Sequence, residues 1–223
     1  LKIFFGGEDE GFKLFWLQHF IPLVLTGLVI YLIYRYREIL RKPKLDKLSR
    51  NTISVILLIS HLSFTWHATY IGDSNMGNVL PLMLCYMAML LSIFLLLNHR
   101  QYLFDILYFW ILCGSLTALI YPESTTDFSW HRFRYYQYWI GHSTLVMGIF
   151  YMLFVDRMKV YPKSIIRSLS WIAIYALFTI YVNHSLDTNY MFLSTDRTLW
   201  NLGFIPPFPY NILFFLTLGI LFI

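Results

Sequence analysis

Apolar runs of about 18–20 residues recur along the whole chain and constrain its fold more than any other feature of the sequence. A helix needs about 20 such residues to cross the ~30 Å hydrocarbon core of a bilayer. Only 13% of the 223 residues are charged, whereas a soluble domain carries about 25%. The chain is therefore predicted to form a single transmembrane domain over residues 1–223.

Each apolar run is predicted to be a helix, because unpaired backbone groups are too costly in lipid. The strands of a membrane barrel would alternate in polarity, and these runs do not. The predicted fold class is an all-α membrane protein, a seven-transmembrane helix bundle. Its predicted spans cover residues 16–34, 52–70, 80–97, 103–120, 135–154, 166–182 and 210–223. Asp105 is the only carboxylate within these spans and is interpreted as an interfacial acid at a helix start.

The basic residues are concentrated on one side of the predicted bundle. Twelve lie on that side: Arg35, Arg37, Arg41, Lys42, Lys44, Lys47, Arg50, Arg100, Arg157, Lys159, Lys163 and Arg167. Five lie on the other: Lys2, Lys13, Arg132, Arg134 and Arg197. The positive-inside rule makes the first side cytoplasmic, with the N-terminus outside and the C-terminus inside. Basic loops facing anionic lipid also account for the net charge of +5, so no nucleic-acid partner is expected.

Histidines gather towards the exterior half of this predicted bundle. His19, His131 and His184 allow an interfacial interpretation, with an apolar body and a hydrated tip. An ionisable group inside a span more often has a functional role, which favours His67 and His142. His61 lies in the same span as His67 and could instead form an interhelical hydrogen bond.

The face of the fifth span that carries His142 is predicted to point into the bundle. Tyr135, Tyr138 and His142 are spaced i, i+3, i+7 and so share one helix face. Gln137 and Gly141 form an adjacent stripe, and a glycine permits close approach of a neighbouring helix. An aromatic belt at the membrane interface is the alternative interpretation of the tyrosines.

Cys85 is predicted to lie at a depth similar to that of His142. Pro81 is expected in the first turn of the same helix, where proline is tolerated, so Cys85 would be near a positive helix terminus. A thiolate nucleophile needs such a field and a base. The alternative is that Cys85 and Cys113 are simply buried apolar thiols; a disulfide between them is disfavoured.

No metal site and no cofactor are predicted. The nearest intramembrane histidines, His61 and His67, are six residues apart and fall on different helix faces, unlike the close pairs of zinc sites. The exterior connections over residues 122–134 and 183–209 are too aromatic to extend freely into water. They are predicted to fold back over the bundle as a lid.

Four segments resemble the signatures of the YwaF-like bacterial integral membrane family, which is related to human transmembrane protein 164. They are LPLMLCYMAMLL (80–91), YFWILCGSLTALIYP (108–122), FRYYQYWIGHSTL (133–145) and NHSLDTNYMFL (183–193). The resemblance implies a phospholipid-remodelling acyltransferase of a bacterial plasma membrane, dependent on one cysteine and one histidine. The matching positions are Cys85 and His142. The bacterial signature has a histidine two residues before the cysteine, where this chain has Met83.

Two hypotheses follow from these residues. In the first, a lipid acyltransferase or acyl hydrolase uses Cys85 and His142 in an outward-facing pocket, with membrane lipids as substrate. In the second, a binding or transport protein uses a histidine-lined pocket without catalysis. The predicted substrate-binding residues, which include the candidate oxyanion donors Tyr138, Asn183 and His67, are His67, Tyr138, Asn183, His184, Asn189 and Tyr190.

Overall fold

The structure, a computed structural model, describes residue 4 and residues 12–71, 80–122 and 129–193. These residues form seven helices and contain no strand. The helices are α1 (Leu17–Arg35), α2 (Arg37–Leu40), α3 (Pro43–Tyr70), α4 (Leu84–Asn98), α5 (Gln101–Ile120), α6 (Phe133–Phe154) and α7 (Pro162–Leu186). The middle of α5, Ile111–Leu116, is π-helical, and a 3₁₀ turn follows α7 at Tyr190–Phe192. The predicted seventh span, 210–223, lies outside the described residues.

The helices have the lengths and composition of a membrane protein. Four of them, α1, α3, α5 and α7, are long and apolar enough to cross a bilayer, and α4 is a shorter apolar helix. α1 and α7 leave most of their side chains uncovered. Large apolar faces of this kind are stable in lipid and not in water, so the chain is a membrane protein.

Helix α6 occupies the centre of the described bundle and packs against α1, α3, α4 and α5. It runs parallel to α1, since Thr26 Oγ1 donates to Ser143 Oγ at 2.7 Å and Tyr135 Oη donates to the Gln18 carbonyl at 2.6 Å. The core is therefore built around the helix that carries His142.

Contacts at Gly141 and Gly148 show in which direction α3 and α4 run relative to α6. A Cβ on Gly141 would lie 3.3 Å from Ser60 Cβ, and one on Gly148 would lie 3.4 Å from Ile53 Cγ2, so α3 is antiparallel to α6. The same glycines meet Met89 and Leu96 of α4, which is parallel to α6. Helices that follow each other along the chain thus cross the bundle in opposite directions, as the predicted spans require.

Three predicted helix starts differ from the observed ones by four residues or more, and α7 is one of them, since it begins at Pro162 and not at 166. α3 begins at Pro43, nine residues before the predicted start at 52, because a charged amphipathic turn in which Arg50 binds Asp46 at 2.8 Å extends it beyond the apolar run. α4 begins at Leu84 and not at 80, so Pro81 precedes the helix and does not lie in its first turn. The Leu82 carbonyl bonds to Tyr175 of α7 and the Leu80 N–H to Tyr190 beyond it, so the first carbonyl that accepts from α4 is that of Met83.

Two polar residues predicted at the membrane interface are buried. His19 is 1% exposed, and its Nε2 lies 3.0 Å from the Leu119 carbonyl of α5. Asp105 is 0% exposed, and Arg167 of α7 lies 2.5 Å from its carboxylate. Both side chains join helices within the bundle, because a polar group removed from water is stable only with a hydrogen-bonding partner.

The lid prediction is confirmed for residues 187–193, the part of 183–209 beyond α7 that the structure describes. Tyr190, Val182 and Leu82 form a small buried apolar cluster. The backbone N–H of Leu80 donates to Tyr190 Oη at 3.1 Å, and the N–H of Met191 donates to Met83 Sδ at 3.4 Å. The segment after α7 therefore covers the residues that lead into α4.

Candidate functional site

Cys85 is the second residue of α4 and a free, half-buried thiol. Its backbone N–H is therefore one of the first of α4. The first N–H groups of a helix have no partner within the helix and carry the positive end of its dipole. The late start of α4 therefore brings the sulfur closer to this positive terminus than the sequence predicted.

The face of α4 that carries Cys85 packs against α6. Met89 and Leu96 follow Cys85 at i+4 and i+11, which places all three on one helix face. Met89 Cε lies 2.9 Å from where a Cβ of Gly141 would be, and Leu96 Cδ1 lies 3.9 Å from the corresponding point on Gly148. Both pairs are 52 residues apart in the sequence, so Cys85 lies level with Gln137, five residues before His142.

His142 is 3% exposed, and its Nδ1 lies 3.0 Å from the Tyr138 carbonyl one turn earlier. A carbonyl oxygen can only accept a hydrogen bond, so Nδ1 carries the proton and the neutral ring keeps its lone pair on Nε2. No hydrogen bond to Nε2 is formed by the residues described. Cys85 lies about 7.5 Å from His142 along the helix axis, towards the N-terminus of α6.

Tyr138 holds the His142 ring in this position. The two ring centroids are 4.1 Å apart, and Tyr138 Oη donates to the Ala118 carbonyl of α5 at 2.6 Å. The predicted inward face of α6 is confirmed, since Tyr135, Tyr138 and His142 are all buried. The hydroxyl of Tyr138 is committed to α5, and its direct role at a substrate stays a prediction.

Asn183 and Tyr190 organise the lid. Asn183 Oδ1 accepts hydrogen bonds from Thr188 Oγ1 at 2.9 Å and from the Tyr190 backbone N–H at 2.8 Å. Its Nδ2 donates to the Tyr190 carbonyl at 2.9 Å. Asn189 is the half-buried residue before the 3₁₀ turn. These bonds tie the lid to α7 beside residues 80–83, which precede α4. Contact of the Asn183, Asn189 and Tyr190 side chains with substrate stays a prediction.

The two remaining predicted site residues are histidines outside this cluster. His67 is 6% exposed at the end of α3, with its ring stacked on Phe133 of α6 at 5.2 Å. His184 is exposed near the end of α7. The structure thus places Cys85 and His142 about 7.5 Å apart along the helix axis through the α4–α6 contact, places His67 against Phe133 at the start of α6, and leaves His184 exposed on α7.

Sequence reasoning missed three residues close to this arrangement. Tyr175 of α7 donates its hydroxyl to the carbonyl of Leu82, three residues before Cys85, at 3.0 Å. Ser115, in the π-helical turn of α5, and Trp139 are buried, and neither Ser115 Oγ nor Trp139 Nε1 has a hydrogen-bond partner within the described chain. A single tyrosine, serine or tryptophan in an apolar run carries no distinguishing sequence signal.

Ser115 lies at the depth of His142. α5 is antiparallel to α6, and the Tyr138–Ala118 bond fixes the register, so one turn deeper Ser115 faces the level of Gly141 and His142. A buried polar atom without a partner costs about 1–3 kcal/mol, and π-helical turns occur frequently at functional sites. Unsatisfied polar atoms around His142 fit a site that receives a polar group of a substrate.

Within the described ranges no group of three or more His, Cys, Asp or Glu side chains could hold a metal ion. The sequence matches the TMEM164 family over residues 14–223. The chain belongs to the TMEM164 family. It is also 25% identical over 175 residues to a Treponema pallidum (strain Nichols) protein with the name "Uncharacterized protein", covering 78% of this chain and 70% of that one. No solved structure matches this TMEM164-family chain.

Proposed function

We propose that the protein transfers or hydrolyses the acyl chains of membrane lipids, with Cys85 as nucleophile and His142 as general base. The observation that carries this proposal is the joint placement of the two residues. Cys85 shares a face of α4 with Met89 and Leu96, which contact α6. Nδ1 of His142 is bonded to a carbonyl, so the Nε2 lone pair remains to accept a proton.

The first step forms a thioester. His142 Nε2 takes the thiol proton of Cys85, and the thiolate attacks the carbonyl carbon of a lipid acyl ester. As the S–C bond forms and the ester C–O bond breaks, the imidazolium returns its proton to the departing lysolipid oxygen. The backbone N–H groups of Leu84 and Cys85, at the start of α4, are the proposed donors to the oxyanion. They join Tyr138, Asn183 and His67 as candidate donors.

The second step releases the acyl chain. His142 Nε2 takes the proton of a lysolipid hydroxyl or of water, and the resulting oxygen nucleophile attacks the thioester carbonyl. The C–S bond then breaks, and the Cys85 thiolate recovers the proton from His142. A lysolipid acceptor gives a remodelled phospholipid, and water gives a free fatty acid.

The membrane setting and the family resemblance support this reaction. A thiol in the first turn of a membrane helix is expected near the depth of the acyl esters at the membrane interface. We further propose that this chain is a YwaF-like protein of the bacterial plasma membrane. It would have seven spans, an exterior N-terminus and a pocket that opens to the outer leaflet. The resemblance of Cys85 and His142 to the cysteine and histidine of the acyltransferase relative is consistent with this.

Reconstitution in phospholipid nanodiscs tests the proposal directly. The protein is incubated with phosphatidylcholine and an isotopically labelled lysophosphatidylcholine, and mass spectrometry follows both labelled products and an acyl adduct on Cys85. Cys85→Ala is expected to abolish both signals. His142→Ala is expected to reduce turnover by about 10²–10⁴-fold, and Cys113→Ala serves as the matched thiol control.

The outcomes separate the two classes of function. Full turnover in Cys85→Ala, or an adduct on Cys113 instead, excludes the proposed mechanism. The binding or transport hypothesis is favoured if neither turnover nor adduct is detected while a small solute or an intact lipid remains bound. Ser115 Oγ and Trp139 Nε1 are buried and have no hydrogen-bond partner among the described residues. They support this second function, because a bound polar ligand would supply the missing partner.

A further inference from the structure

The end of α1, the short helix α2 and the first two turns of α3 form a basic corner over residues 35–50. It holds seven basic and two acidic residues, and both acids are already paired. Glu38 accepts a hydrogen bond from Arg41 Nη1, and Asp46 Oδ2 lies 2.8 Å from Arg50 Nη2. The basic corner therefore carries five positive charges that no acid of its own neutralises.

The two paired arginines also fix the basic corner to the rest of the bundle. Arg41 Nε and Nη2 donate to the carbonyls of Val155 and Phe154, at the end of α6, at 2.9 and 2.7 Å. Arg50 Nη1 donates to the Leu96 carbonyl, near the end of α4, at 2.6 Å. These two cations serve internal contacts, and the basic corner is held rigidly against two other helices.

Three lysines of the basic corner have no such role. Lys42, Lys44 and Lys47 are exposed and form no hydrogen bond, ion pair or ring contact within the described part of the chain. Fixed like charges repel one another, and a bound anion relieves the repulsion. The exposed Arg157 and Lys159 extend the same surface, because Arg41 joins their connection to the basic corner.

Exposed apolar side chains are interspersed with these lysines. Tyr36, Ile39, Leu45 and Leu48 are each more than one-third exposed. Further along α3 the exposed face becomes apolar from Val55 onward, where the helix enters the hydrocarbon. A soluble anion or an acidic peptide would leave these apolar side chains in water. A membrane surface accommodates both kinds of side chain, the lysines at its headgroups and the apolar groups below them.

We propose that the basic corner binds the headgroups of anionic phospholipids, with the phosphodiester at Lys42, Lys44 and Lys47 and the upper acyl chains against Leu45 and Leu48. The sequence placed many basic residues on one side of the bundle. The structure separates those that pair internally from those that remain, and shows the apolar groups beside them. The inference does not depend on the acyl chemistry proposed for Cys85.

Native mass spectrometry of the purified protein in a non-ionic detergent measures this selectivity. Phosphatidylglycerol and phosphatidylcholine with identical acyl chains are titrated separately, and we expect about tenfold or tighter binding of phosphatidylglycerol. A lysine near an anionic surface contributes about fivefold in affinity. The triple variant Lys42→Gln, Lys44→Gln, Lys47→Gln should therefore lose at least about tenfold in phosphatidylglycerol affinity and keep its phosphatidylcholine affinity.

Matched variants separate charge from packing and location. The triple variant with arginine at the same three positions keeps the charge and should retain the selectivity. Lys13→Gln removes an exposed lysine before α1, at the opposite end of that helix, and should leave both affinities unchanged. Thermal unfolding without added lipid should be equal in wild type and the glutamine variant. If the glutamine variant does not fold, the three single variants give the same comparison at about fivefold each.

Three results overturn the inference. Equal affinities of wild type for the two lipids would show that the surface does not select anionic headgroups. Selectivity that persists in the glutamine variant would place the site elsewhere. Displacement of phosphatidylglycerol by an equal concentration of glycerol phosphate, or of a poly-glutamate peptide, would assign the surface to a soluble anion or to an acidic protein.

Discussion

At the scale of single residues, Gly141 is the position where the packing of the site is tightest. A Cβ there would lie 2.9 Å from Met89 Cε and 3.3 Å from Ser60 Cβ. We expect Gly141→Ala to destabilise the protein by about 1–3 kcal/mol, the usual cost of overpacking a core. Because Met89 shares a helix face with Cys85, the same change should also reduce acyl transfer.

The measurement is thermal unfolding in detergent, with Gly27→Ala as the matched control. Gly27 lies inside α1, and a Cβ there would meet nothing within 4 Å, so alanine should leave stability unchanged or raise it slightly through helix propensity. Equal melting temperatures for Gly141→Ala and wild type would show that α3 and α4 do not approach α6 this closely.

Residue spacing predicted the inward face of α6 but not the environment of isolated polar residues. Tyr135, Tyr138 and His142 share a periodicity that identifies a buried face before any neighbour is known. His19 and Asp105 have no such pattern. Their burial depends on which carbonyl or guanidinium another helix brings opposite them, and this information is in the three-dimensional packing.

At the scale of helices, the contact between α5 and α7 depends on Asp105. Its carboxylate is 0% exposed and is bound by Arg167, by Ser164 Oγ at 2.8 Å and by Gln101 Nε2 at 2.7 Å. Arg167→Met leaves this carboxylate buried without its cation and should cost about 3 kcal/mol, at the low end for buried pairs because Arg167 is one-third exposed.

The double variant Asp105→Leu with Arg167→Met tests whether the cost belongs to the unpaired charge. Replacing both partners with apolar residues removes the uncompensated carboxylate, so the double variant should be more stable than Arg167→Met alone. Chemical unfolding in detergent provides the comparison. Additive losses in the double variant would contradict a direct interaction.

The lid is the second element whose attachment can be tested. Asn183→Ala removes three hydrogen bonds to residues 188–190, and hydrogen exchange over 188–193 should become at least about tenfold faster. His184→Ala, at the exposed neighbouring position, is the control. If exchange stays slow while the KM for lysolipid rises, Asn183 binds substrate and does not hold the lid.

At the scale of the whole molecule, apolar length and charge distribution predicted most of the architecture. The predicted helices correspond to the observed ones within about four residues at most ends, because a helix that crosses lipid is defined by its own composition. The start of α3 is the exception, nine residues early. The four-residue delay of α4 arises because Leu80 and Leu82 bond to Tyr190 and Tyr175. These partners are about a hundred residues away in sequence, and no local pattern indicates them.

The predicted orientation, with the basic connections in the cytoplasm and the lid outside, can be tested by labelling one residue at each end of the bundle. The basic residues of the connections 35–43 and 154–162 lie at one end of the helices, and the lid lies at the other. In the Cys85→Ala, Cys113→Ala background, a cysteine at Asp187 should react with a membrane-impermeant maleimide added to intact cells. A cysteine at Lys159 should react only after the cells are permeabilised. The reverse pattern would place the entry to α4 at the cytoplasmic leaflet, and the acyl chemistry proposed for Cys85 would then act on cytoplasmic lipids.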